Sequence, residues 1–148
     1  MGGHDALREE GEMIEGVQVQ PLEIKRDERG WLAEILQVSR KESDQPIRQL
    51  HLTVADPGKT RGKHYHRRKT EWACVVSGEG RLYLKDTRTG GEATVFMGES
   101  HMVKVCIPPY VAHAITNTGK EPLYLIVMAG EEFDPADPDT NPFHFASL

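Results

Sequence analysis

Four side chains with metal-ligand chemistry fall in two short segments of this chain. The first segment runs Gly58, five residues, His64, one residue, His66, four residues, Glu71, six residues, Gly78. Side chains alternate along a strand, so His64 and His66 project from one face, roughly 6.6 Å apart along the backbone, and both imidazoles can converge on one ion. Glu71 opens the next expected strand and adds an oxygen from the side. The second segment, Pro108 to His113 with Asn117 four residues on, brings a third imidazole after a proline-stiffened turn. His64, His66, Glu71 and His113 make a three-nitrogen, one-oxygen set that suits a borderline divalent ion such as zinc, iron(II), manganese or nickel. The competing reading is a histidine pocket without metal.

The elements that must position these ligands are strands. From residue 17 the chain breaks into short runs rich in β-branched and aromatic residues, separated by Gly, Pro, Asp and Asn. Strands are expected over 17–24, 31–37, 47–54, 63–66, 71–77, 80–85, 92–96, 102–107, 112–117 and 123–128. That rhythm predicts an all-β barrel or sandwich over residues 17–130. Residues 1–16, rich in Gly and Glu, are expected to form a flexible arm outside the core. The proline-rich tail over 131–148 is expected to run extended without joining a central strand.

With the ligands and strands set out, the two segments resemble the paired motifs of the cupin superfamily, whose fold is the double-stranded β-helix, or jelly-roll, barrel. The second segment departs at Tyr110, where the family usually has glycine, and at Met102, where a leading glycine is missing. The stretch KRDERGWLAEIL and the Arg61-Gly62-Lys63-His64 segment resemble dTDP-4-dehydrorhamnose 3,5-epimerase. A closer resemblance, over PGKTRGKHYHRRKTE, VVSGEG, IPPYVAHAITNTG and FDPADPDT, is to the zinc-binding cupin domain of the bifunctional capsular-polysaccharide enzymes that make UDP-N-acetyl-L-fucosamine. Lys63 stands where those enzymes usually have asparagine, and His51 where a small residue is expected.

This resemblance implies epimerisation or ketoisomerisation at C3, beside the ketone of a nucleotide-linked 4-keto-6-deoxy sugar. Zinc is the metal it favours, and it implies a separate reductase as partner. Such chemistry removes an acidic C–H proton, stabilises the enolate and returns a proton from the other face. A metal would polarise the C4 carbonyl, although a four-ligand site can also be purely structural. Gln49, His51 and Thr53 share one strand face, which makes His51 a candidate general base, worth roughly 10²–10⁴-fold if positioned. Tyr110, with Tyr83 and Tyr124 as alternatives, is the candidate proton donor, and Tyr65 is expected to pack outside the pocket. Gln49, Lys63 and Arg61 are expected to hold substrate, with Arg61 assigned by the resemblance to the nucleotide diphosphate. Arg67, Arg68 and Lys69 read equally well as a solvated basic loop.

A chain of 148 residues points to one domain, and a net charge of -5 with scattered basic residues excludes a nucleic-acid duplex as partner. No apolar run approaches the roughly 18 residues of a membrane helix, and the polar start does not resemble a signal peptide, so a cytoplasmic protein is expected. Cys74 and Cys106 sit among apolar neighbours and read as reduced core residues. A homodimer through the strand over 17–24 is expected. Two other functions fit the same ligands: a non-catalytic cupin that binds a sugar or nucleotide-sugar, and an iron(II) dioxygenase.

Overall fold

The computed structural model describes residues 9–12, 14–38 and 45–148. One antiparallel sheet has the strand order β1 (Glu9–Gly11), β9 (Glu92–Gly98), β8 (Glu79–Asp86), β11 (Val111–Asn117), β6 (Thr60–Tyr65), β13 (Asn141–Pro142). The other has the order β2 (Gln18–Pro21), β10 (Val103–Ile107), β7 (Glu71–Ser77), β12 (Leu123–Ala129), β5 (Gln49–Ala55). A separate two-stranded hairpin joins β3 (Lys25–Asp27) to β4 (Gly30–Leu32). Every expected strand is present at least in part. The stretch over 31–37 is strand only to Leu32, because Ile35 and Leu36 leave the hairpin to cover Trp72, Cys106 and Met128 on the outside of the second sheet.

The apolar core fills the space between the sheets: Val75, Leu82, Leu84, Val95, Met97, Val105, Val111 and Leu123 are all almost fully buried. Both cysteines are buried thiols outside any disulfide, and burial pushes the Cys74 thiol up to about 11, so it stays protonated and inert. Asn117 is a clamp between loops: its Nδ2 donates to the carbonyls of Ala55 and Glu121, and its Oδ1 accepts from Gly119 N–H. Residues 1–8 and 13 of the expected arm lie outside the described residues, and the described part of it contacts the barrel. Glu9–Gly11 pair with β9, and Ile14 is buried in the main cluster. The tail adds only two residues to a sheet edge, through β13 beside β6, and lays Phe143 and Phe145 over Ala112 and Ala114.

One irregularity positions the site. Along β6 and β11, His64 faces His113 while Gly62 already faces Ala114, so Lys63 is an extra residue in β6. Lys63 takes a φ of 63°, in the left-handed region where asparagine and glycine are the easier residues. The bulge reverses the alternation of side chains. Arg61 therefore pairs with Ile115 and faces inward like His64, although it lies an odd three positions from that histidine. Gly62, at φ 96°, lets the two strands touch: a Cβ there would lie 2.9 Å from the His113 carbonyl oxygen. Gly62→Ala is expected to destabilise the metal-free protein by about 1–3 kcal/mol. Lys63→Gly, which relieves the left-handed strain, is expected to be neutral or to stabilise by about 1 kcal/mol. Urea unfolding of the two variants checks both, and an indifferent Gly62→Ala would remove the bulge from this account.

Candidate metal centre

β6, β7 and β11 deliver the four expected ligands to one place. The ligating atoms of His64, His66 and His113 lie within 4.8 Å of one another. Oε1 of Glu71, at the start of β7, lies 3.2 Å from His66 Nε2 and 3.3 Å from His113 Nε2. Both ring nitrogens are buried, yet neither makes a hydrogen bond. Buried polar atoms without a hydrogen bond are costly, and these two lie around the same Glu71 oxygen. Bonds of about 2.0–2.1 Å in a tetrahedron set neighbouring ligand atoms about 3.3–3.4 Å apart, which is close to the two Glu71 separations, while the imidazole nitrogens are spread over up to 4.8 Å.

The far side of each ring reinforces the assignment. His66 Nδ1–H donates to the Asp139 carbonyl at 2.7 Å, and His113 Nδ1–H donates to the Val111 carbonyl at 3.1 Å. A carbonyl only accepts, so each Nδ1 carries a proton, and in the neutral ring Nε2 is then the nitrogen left to take an ion, as in metal-bound histidines. The Asp139 carboxylate accepts from the backbone N–H groups of Arg67, Arg68 and Lys69, at 2.8, 2.9 and 3.3 Å. The tail residue thereby holds both His66 and the loop that follows it. Three imidazoles and a carboxylate fit a borderline divalent ion.

Burial first, then the neighbouring His113, His66 and Lys69, lowers the His64 imidazole to about 4 against the pull of Glu71, so His64 is neutral across the physiological range. Burial works to raise the Glu71 carboxyl, but the adjacent His113 and His66 hold it well below the usual carboxylate range.

The ligands sit in a cavity of about 340 Å³ between the sheets. Gln49, His51 and Thr53 reach it from β5, Arg61 from the rim of β6, and Phe133 and Thr140 from the tail. Lys69 also lines the cavity and is 5% exposed, so of the two readings open for it in the sequence the solvated loop does not hold. Its loop neighbours Arg67 and Arg68 are indeed exposed, and Arg68 pairs with Glu131 and Asp137. Burial of Lys69 follows from the Asp139 clamp, seventy residues away in sequence, and no local pattern announces it.

Two expected site residues lie elsewhere. Tyr110 does not line the cavity: it stacks on Tyr65 at 6.2 Å between ring centroids, beneath the Arg88 guanidinium. Its φ of 70° explains why glycine is the usual residue there. Tyr83 and Tyr124 are also absent from the lining, and Lys63 points to solvent as the bulge residue. Tyr65 packs outside the pocket as expected, against Tyr110 and Phe143.

His64→Ala and His113→Ala are each expected to abolish stoichiometric metal, measured by elemental analysis of purified protein, and Asp139→Ala to weaken it about 10–100-fold. Full metal in either histidine variant would show the ligands to be misassigned. The acid response of the metal-free protein has a definite sign. Below about 6.5 the unfolded chain binds a proton at His64 that the folded chain refuses until about 4. The Glu71 contribution, present above its ordinary 4.5, is then lost at still lower pH. The melting temperature of chelator-treated protein is therefore expected to fall from pH 6.5 to 4, and His64→Gln to flatten that slope. An unchanged slope in the variant would contradict the assignment.

The profile of the polysaccharide biosynthesis C-terminal domain matches residues 25–141. The spore coat polysaccharide biosynthesis protein SpsL of Bacillus subtilis is 30% identical over 132 residues, covering 86% of this chain and 87% of SpsL. The UDP-2-acetamido-2,6-beta-L-arabino-hexul-4-ose reductase of Pseudomonas aeruginosa is 35% identical over 115 residues, covering 77% of this chain but only 29% of the reductase. Among solved structures, the capsular polysaccharide assembling protein CapF of Staphylococcus aureus superposes with a TM-score of 0.64 at 28% identity, over 84% of this chain and 35% of CapF. The epimerase RmlC of Legionella pneumophila, solved with dTDP-4-keto-L-rhamnose, shares the fold at a TM-score of 0.81 and 19% identity, over 95% of this chain and 79% of RmlC. Among the described residues, no helix is long and apolar enough to cross a membrane.

Proposed function

Because this chain belongs to the polysaccharide biosynthesis C-terminal domain family, we propose that it is a metal-dependent epimerase or ketoisomerase acting at C3 of a nucleotide-linked 4-keto-6-deoxy sugar. The observation that carries this reading is the pair of buried Nε2 atoms of His66 and His113, which make no hydrogen bond and lie around the same Glu71 oxygen on the wall of a water-accessible cavity. The names of the relatives support the substrate class. The reductase acts on a UDP-linked acetamido sugar that carries a 4-ketone, and the RmlC ligand is a dTDP-linked 4-keto sugar. A UDP-linked acetamido sugar is the preferred substrate on this reading.

A divalent ion, zinc in this proposal, held by His64, His66, Glu71 and His113, would act as a Lewis acid on the C4 carbonyl. The chain supplies the rest. Lys69, buried in the cavity wall, brings a cation toward the oxygen that becomes negative as the C3 proton leaves. Arg61, turned inward by the bulge, offers a planar fork at the rim to the diphosphate, and the apolar Leu82, Ile107, Ile115, Leu125 and Val127 exclude water beneath the sugar. His51 faces the sugar from β5. On the same footing we propose a homodimer through the edge strand β2, and a separately encoded reductase that consumes the product.

A second reading is favoured by one observation. Epimerisation needs proton carriers on both faces of the carbon, and no tyrosine lines the cavity. A module that binds the nucleotide-sugar without exchanging protons also fits such a cavity.

Proton NMR in heavy water separates the readings. UDP- and dTDP-linked 4-keto-6-deoxy sugars are mixed with metal-loaded protein, and the H-3 signal is followed with and without a chelator. Loss of H-3 that the chelator stops is the expected outcome, with His51→Ala retaining metal and slowing the loss by about 10²-fold or more. Persistence of H-3 with every sugar would leave the binding module. Exchange that survives the chelator would make the metal structural, and oxygen consumption dependent on iron(II) would indicate a dioxygenase.

A further inference from the structure

His51 is the one cavity histidine outside the ligand set, and its partners determine which of its nitrogens carries the proton. The chain of contacts begins in the tail. The backbone N–H of Phe133 donates to Gln49 Oε1 at 2.8 Å. An amide N–H has no acceptor capacity, so this bond fixes which end of the Gln49 side chain is oxygen and which is nitrogen. The Gln49 amide nitrogen then faces His51 Nδ1 at 3.4 Å. That nitrogen is a donor only, and the imidazole nitrogen opposite must accept. In the neutral ring the remaining proton is therefore on Nε2.

We infer that Gln49 is a positioning residue that holds His51 as an Nε2–H donor, so that His51 enters the cavity to donate a hydrogen bond to substrate oxygen rather than to accept a proton from carbon. Two earlier expectations change with it. Gln49, taken from the sequence as a substrate contact, has its carbonyl oxygen engaged by the tail and its nitrogen by His51. His51, taken as a general base, lacks a lone pair on the nitrogen directed away from Gln49. Accepting a proton there would require the other tautomer, with an Nδ1–H opposing the Gln49 N–H, or a reversal of the amide that leaves Phe133 N–H without its acceptor. A neutral imidazole donor suits an oxygen that gains negative charge, because it stabilises the anion without titrating. The chemistry assigned to that donor rests on the function proposed above, whereas the tautomer does not.

The test reads the tautomer directly. Long-range proton–nitrogen correlation spectra of nitrogen-15 histidine-labelled protein, with His51 assigned from the signals missing in His51→Asn, are expected to show unprotonated Nδ1 and protonated Nε2 at neutral pH. Gln49→Glu supplies two acceptors, one for Phe133 N–H and one for His51, and is expected to move the proton to Nδ1. With the 4-keto sugar nucleotides, that variant is expected to keep full metal while kcat for H-3 exchange falls about 10–100-fold and KM changes little. A wild-type His51 protonated on Nδ1 would overturn the inference, whatever Gln49→Glu does and even if that variant does not fold. An unchanged tautomer in folded Gln49→Glu would overturn it as well. If the wild-type tautomer is as inferred and no sugar nucleotide loses H-3, the inference stands and the epimerase reading fails. If H-3 exchanges in protein whose His51 carries its proton on Nδ1, the reverse holds.

Discussion

The arrangement depends on how closely β6 and β11 approach each other. His64 and His113 come from different strands, and they meet because one extra residue in β6 brings them into register at the point of closest contact. Two costs come with that offset. Lys63 must hold a backbone conformation that side chains disfavour, and Gly62 must have none because the neighbouring carbonyl occupies the space. The same offset turns Arg61 toward the cavity. The meeting of the two histidines and a cavity-facing cation are thus consequences of one local departure from regular pairing.

Around that contact the protein distributes charge unevenly. Among the described residues that line the cavity Glu71 is the only carboxylate, and it lies against two imidazoles, whereas Lys69 and Arg61 add positive charge at the wall and rim. The result is a locally cationic cavity in a chain of net charge -5, favourable to a phosphate-bearing ligand and to an oxygen becoming negative. The apolar half of the wall lowers the local dielectric, so each of those charges acts with less screening than it would at the surface.

Much of this was legible in the sequence, for physical reasons. Period-two alternation placed Gln49, His51 and Thr53 on the inner face of β5 and Leu50, Leu52 and Val54 on the outer one, where they are exposed. The spacing of His64 and His66 and the turn before His113 pointed to the clustered histidines because strand geometry converts spacing into direction. What sequence could not supply were contacts made across distance. Burial of Lys69 depends on Asp139, and the roles of Gln49 depend on Phe133. Alternation also fails at a bulge, so the inward face of Arg61 was invisible to it. Tyr110 was misplaced because the backbone there runs through a left-handed residue, which redirects its side chain onto Tyr65. Ile14 was missed because a lone apolar residue in a polar stretch has no period to reveal it.

The carbonyl of Asp139 that orients His66 lies 73 residues further along the chain. Synthesis is vectorial, so the histidine and most of its barrel leave the ribosome well before the residue that sets its ring. During that interval the His66 imidazole has no fixed tautomer, and an ion arriving early meets a softer and less selective set of ligands than one arriving after the tail has docked. On the proposed metal reading, order of arrival, as well as affinity, therefore bears on which ion the centre takes up.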